Sequence, residues 1–223
     1  MKPIIFSTPM VQAILDGRKT MTRRVIKDKD ITNNFDIDVD GSAYAYINPA
    51  TGDSCPPTAI AKYQVGDILW VRETWGFVGC EKCGGECCTG APDNYKGDDG
   101  CFVYRANYGT TEDDSFSPSM FKWKPSIHMP REAARVFLRV TNVRVERLQD
   151  ITEDEAIKEG AKAYGPNNCS GTSARIAFAE IWDKTATEHE WRTNPWVWVI
   201  EFEKISKEEA ERLEGSEWPG HKK

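Results

Sequence analysis

The sequence predicts an α+β domain built around a small β-barrel, with short surrounding helices and a Cys-rich insertion. Two observations point there. Strand-like runs at 68–72, 136–145 and 196–202 are separated by short helix-like runs without regular alternation. The glycine patterns of a phosphate loop or a dinucleotide-binding turn, which would indicate a doubly wound sheet, are missing. The length of 223 residues and the 39% hydrophobic content suit a single domain over 1–223 with a real core. Polar stretches at about 28–60 and 76–130 read as insertions.

Each element has a local reason. Thr8-Pro9 is a helix start, Val11, Ile14 and Leu15 follow at helical spacing, and Gly17 is a stop. The chain then enters a loop or strand. Residues 28–60 are acidic and rich in Asn, Asp and Gly, and read as a long irregular excursion with a strand signal only at 43–47. Val65-Gly66-Asp67 is a turn into the apolar strand 68–72, and 102–105 is a short strand. The β-branched alternation of 136–145 predicts one or two strands. Thr152 with Glu155 is a capping box opening a helix that stops near Gly160. Ala174, Ala177, Phe178, Ile181 and Trp182 form the apolar stripe of a second helix. Residues 196–202 are the strongest strand, with Trp196 and Trp198 as core, and Ser206 with Glu209 caps a charged terminal helix.

Composition excludes several classes. No apolar run reaches membrane-span length, and Ile4-Ile5-Phe6 is too short for a signal-peptide core, so a cytoplasmic chain is expected. The net charge of −6 argues against a generally basic nucleic-acid coat. Yet residues 1–27 carry six Lys/Arg against one Asp, and residues 121–147 carry seven Lys/Arg against two Glu. These segments form either one face for an anionic ligand or two separate solvated faces.

Four groups of residues could carry chemistry. In Arg18-Lys19-Thr20-Met21-Thr22-Arg23-Arg24, a lysine crowded by cations and desolvated would lose basicity, and its neutral amine could take a proton from a threonine hydroxyl. The same turn would equally serve as a plain phosphate-binding cluster. Glu73 ends an apolar strand between Arg72 and Trp75, where it either pairs with Arg72 or lines a pocket, whereas Glu159 has the position of an exposed helix-end residue. Trp123, Lys124, His128 and Arg131 interleave aromatic and basic groups that would suit base stacking and phosphate contact, or form a packed Trp with a structural His. Cys80-x-x-Cys83-Gly has the form of a zinc knuckle. Cys88 (or Cys87 in its place) and Cys101 would complete four ligands of a structural zinc.

Taken together, the chain resembles the ASCH-domain family, whose β-barrel is related to the PUA RNA-binding fold. The residues that carry the resemblance are Ile14-Leu15-Asp16-Gly17-Arg18-Lys19-Thr20-Met21-Thr22-Arg23, Val65-Gly66-Asp67-Ile68-Leu69-Trp70-Val71, Val140-Thr141-Asn142-Val143 and Trp198-Val199-Ile200-Glu201-Phe202. Arg72-Glu73-Thr74-Trp75 and Ser126-Ile127-His128-Met129-Pro130-Arg131 resemble the longer form carried by bacteriophages and prophages. The resemblance implies an amidohydrolase that deacylates N4-acetylcytidine or a similar modified cytosine nucleoside or nucleotide. It implies Lys19 as base, Thr22 as nucleophile and Glu159 as proton carrier, with no cofactor in catalysis. Arg18, Arg23, Arg72, Glu73, Trp75, Trp123 and His128 would contact the substrate. The alternatives are a non-catalytic RNA-binding module and a phage assembly protein.

Overall fold

The computed structural model describes residues 1–79, 100–107, 122–162, 173–186 and 189–216. The chain divides into two compact units, each assembled from separated segments. One comprises Met1–Asp16, Ile68–Leu138 and Lys204–Lys223; the other comprises Gly17–Asp67 and Arg139–Glu203.

In the first unit, strand β1 (Lys2–Ile5) leads into helix α1 (Thr8–Leu15), with Ser7 extended at the N-cap and a proline in the first turn. The residues that end α1 behave as glycine chemistry requires, since Gly17 takes φ +74°. β1 pairs in parallel with β6 (Ile68–Arg72), Ile4 opposite Val71. Strand β7 (Trp75–Val78) pairs antiparallel with β8 (Cys101–Tyr104). The C-terminal helix α5 (Lys207–Ser216) buries Ala210 in a core with Ile68, Trp70, Ala134 and Phe137. Trp75, Phe102, Tyr104, Met129 and Ala133 make a second core.

In the second unit, β2 (Met21–Val25) pairs antiparallel with β10 (Trp196–Ile205), Thr22 opposite Ile200. Helices α3 (Glu153–Lys158) and α4 (Ala174–Thr185) pack on this pair. Their shared core holds Met21, Leu148, Ile151, Ala156, Ala177, Phe178, Trp182, Val197 and Val199. Ile181, expected in the apolar stripe, is 37% exposed at the edge of that stripe. The capping box of Thr152 and Glu155 is present in both directions. Residues 136–145 belong to one strand, β9 (Phe137–Arg147), rather than two.

One expectation needs correction. Residues 28–60, read as irregular, form helix α2 (Lys29–Asn33) and a three-stranded antiparallel sheet of β3 (Phe35–Ile37), β4 (Ala43–Ile47) and β5 (Ser54–Cys55). One face of that sheet is solvated, which is why its sequence looks like loop. Phe35 nevertheless buries with Ile26 and Trp196, edge-on to the indole at 5.6 Å. The expected α+β class is present, and the PUA-like barrel is not confirmed. The strands of the main sheet run in the order β1-β6-β9-β10-β2, and β1 and β2 stand at its edges without pairing to each other. Among the described residues the fold is thus α+β with several sheets and no closed barrel. Nor is any helix among them long and apolar enough to cross a membrane.

Candidate functional site

In the second unit, the basic turn and the end of α3 meet. Thr20 is tied to both sides: its N–H donates to the Lys158 carbonyl at 2.9 Å, and its own carbonyl accepts from Phe202 N–H at 2.9 Å. This anchoring carries Lys19 inward to 2% exposure. Lys19 Nζ donates to Glu159 Oε2 at 2.6 Å and to the Glu159 carbonyl at 2.8 Å. Glu159 is the C-cap of α3 and is 8% exposed, not the solvated helix-end residue its position suggested. Gly160, at φ +93°, lets the chain leave the helix there while the carboxylate stays inside.

A desolvated cation is disfavoured, so burial lowers the Lys19 pKa from its ordinary 10.5. The Glu159 charge and hydrogen bond oppose that shift, and Arg24 and Arg23 add to it. Burial also pulls Arg24 down, against Glu159 and Tyr63, although a guanidinium keeps its proton in proteins.

Arg23 joins the same cluster. Nη1 lies 3.4 Å from Glu159 Oε1 and 3.3 Å from Met21 Sδ. Nη2 donates to Glu155 Oε2 at 2.9 Å and to Glu146 Oε2 at 3.1 Å. Arg144 grips the other oxygens of Glu146 and Glu155, and also Glu201. Side chains alternate along a strand, so Thr22 shares its face of β2 with Arg24, while Met21 and Arg23 share the other. Thr22 is 3% exposed. The structure thus brings Lys19, Glu159 and Arg23 into contact and buries Thr22 on the adjoining strand. Arg18, half-buried, reaches the Gly160 carbonyl at 3.5 Å.

Sequence reasoning missed Glu146, Glu155 and Arg144. One signal was present. Glu155 and Glu159 are four residues apart on one helix face, and two like charges at that spacing call for a cation between them. Burial pushes the Glu155 carboxyl up. The Thr152 N–H and the charges of Arg23 and Arg144 outweigh that and hold it below its ordinary 4.5. A carboxylate depressed in the folded state adds stability above its unfolded pKa and loses it as pH falls through the folded value. We therefore expect acid unfolding to begin below pH 4.5, and Glu155→Gln to flatten that limb of a stability-against-pH curve measured by urea titration. An unchanged acid limb would contradict this.

The first unit holds the remaining predicted residues. Glu73 is 1% exposed, as its place at the end of an apolar strand suggested, but its partner is Arg135 rather than Arg72. The pair is two-pronged: Arg135 Nε to Oε1 at 2.9 Å and Nη2 to Oε2 at 3.0 Å. The Arg135 guanidinium also lies 4.0 Å from the centre of the Tyr104 ring. Arg72 instead donates to the Ile127 carbonyl and stacks over Trp70. Trp75 is 6% exposed and packs in the core with Phe102, with Lys124 Nζ 4.7 Å above its ring. Trp123 is half-buried beneath Arg105, whose guanidinium carbon is 5.5 Å from the ring centre, and His128 is exposed. Of the expected zinc ligands, Cys80, Cys83, Cys87 and Cys88 lie outside the described residues. Cys101 is buried on β8 opposite Val78.

No family model and no curated protein matches this chain. Among solved structures it is similar to a DUF984 protein from Enterococcus faecalis V583, at 10% identity and a TM-score of 0.36. That match covers 95% of this chain and 76% of the other. A likeness so slight defines neither fold nor function.

Proposed function

We propose that this chain is an ASCH-type amidohydrolase with a PUA-like ancestry, deacylating an N4-acetylcytidine-like nucleoside or nucleotide. The observation that supports this reading is the buried 2.6 Å contact between Lys19 Nζ and Glu159 Oε2, with Thr22 buried three residues on in β2. Moving one proton along that contact gives a neutral amine and a carboxylic acid. These are the base and the acid that amide cleavage needs, held side by side.

The steps balance. The Lys19 amine takes the proton of Thr22 Oγ1 as that oxygen attacks the acetyl carbonyl. The C–N bond breaks, and Glu159 gives its proton to the departing exocyclic amine. The ammonium–carboxylate pair is then restored. A second transfer along the same contact activates water against the acetyl-threonine ester, and Glu159 returns a proton to Thr22 as acetic acid leaves and loses its proton to solvent. Arg18, half-buried at the mouth of the turn, is placed to orient the substrate. No metal takes part; a zinc held by the Cys-rich segment would serve structure alone.

A pH profile tests the assignment. The pair works with one proton shared between Lys19 and Glu159, so kcat/KM for N4-acetylcytidine should fall as rising pH removes that proton, on a limb below 10.5, the ordinary lysine value. A profile flat across that range would contradict a lysine base.

A further inference from the structure

The reading above uses Glu159 but leaves open what fixes the direction in which its carboxylate faces. We propose that Arg23 is a positioning residue for Glu159, itself held in place by Glu155 and Glu146. This inference rests on the proposed roles of Lys19 and Glu159.

The geometry assigns each carboxylate oxygen. Glu159 Oε2 belongs to Lys19, and Oε1 faces Arg23 Nη1. The Arg23 side chain has no solvent exposure, so protein groups alone compensate its charge. Its Nη2 is spent on Glu155 and Glu146, and the second oxygen of each of those is spent on Arg144. The guanidinium is therefore pinned from the side away from Glu159. Only a planar fork can meet three carboxylates at once, so a lysine ammonium is a poor substitute. Glu155 has a further tie, because its Oε2 accepts the Thr152 N–H at 3.0 Å as part of the helix cap. The helix that presents Glu159 at its C-terminal end thus fixes, from its N-terminal turn, the residue that aims it. Arg23, expected from sequence to touch substrate, has its Nη groups committed to this task. Its Nε is buried and without a hydrogen-bond partner among the described residues.

The test uses the full chain labelled with [13Cε]-lysine, with the Lys19 resonance assigned by its loss in Lys19→Arg. Three groups act on the Lys19 amine: Glu159, Arg24 and Arg23. In Arg23→Lys, Oε1 loses its partner and Glu159 turns more fully to Lys19, so the Lys19 titration should move up. In Glu155→Gln, Arg23 is released toward Glu159, so it should move down. Turnover of N4-acetylcytidine should fall about 10- to 100-fold in kcat in Arg23→Lys, with KM within about twofold, as misplacement of a reacting group does. Two folded variants with the Lys19 titration unmoved would overturn the relay. If Arg23→Lys does not fold, Glu155→Gln carries the test alone. If the wild type does not turn over the substrate, the proposed function fails while the titration still decides the relay.

Discussion

Lys19→Ala should abolish turnover and also destabilise the protein, by about 3–5 kcal/mol if the loss follows other broken buried ion pairs. The second effect follows from burial. The side chains of Lys19 and Glu159 are 1% and 4% exposed, so removing the cation leaves a carboxylate with neither solvent nor its closest partner. Arg23 at 3.4 Å compensates only in part. The double variant Lys19→Met/Glu159→Gln should recover most of the stability, because both charges go together and the amide can still accept and donate hydrogen bonds. Urea unfolding of the two single variants and the double measures the coupling directly. Additive losses would mean that the two groups do not interact as drawn.

Thr22→Val should keep the fold and lose the chemistry. Valine has nearly the shape of threonine and suits a strand, and Thr22 lies opposite Ile200 in the β2–β10 pair. Without the hydroxyl no ester intermediate can form, so kcat should drop at least about a thousandfold, the scale of losing a nucleophile. Thr22→Ser, which keeps the oxygen, should retain measurable turnover. Equal activity in Thr22→Val and wild type would remove the nucleophile from the mechanism and leave Lys19 and Glu159 to activate water directly. Parallel melting curves for the two proteins are part of the result.

Much of the fold was legible because local signals agreed with tertiary burial. The Pro-started helix ending at Gly17, the apolar strand 68–72 and the Thr152 capping box all appear where the sequence puts them. The 28–60 sheet was not legible. Its strands are short and largely exposed, and their stability comes from Phe35 packing with a tryptophan 161 residues away in sequence. Strand order has the same cause: which strands become edges is set by pairing partners, which no single segment encodes. At the candidate site, residue types pointed to the Lys19 turn. Its union with Glu159, 140 residues away, came only through the family resemblance. A helix-end glutamate looks solvated until the anchored Thr20 loop is seen closing over it. Glu73 was placed correctly at a buried strand end, but its partner Arg135 lies 62 residues on, with no local pattern linking the two.

We propose that the buried Lys19–Glu159 pair drives hydrolysis of an acylated cytosine amide. The most direct measurement follows acetate and cytidine release from N4-acetylcytidine by the wild type beside folded Lys19→Met/Glu159→Gln. Equimolar acetate and cytidine are expected from the wild type, and none above background from the double variant. No release from folded wild type, or equal release from both, would contradict it.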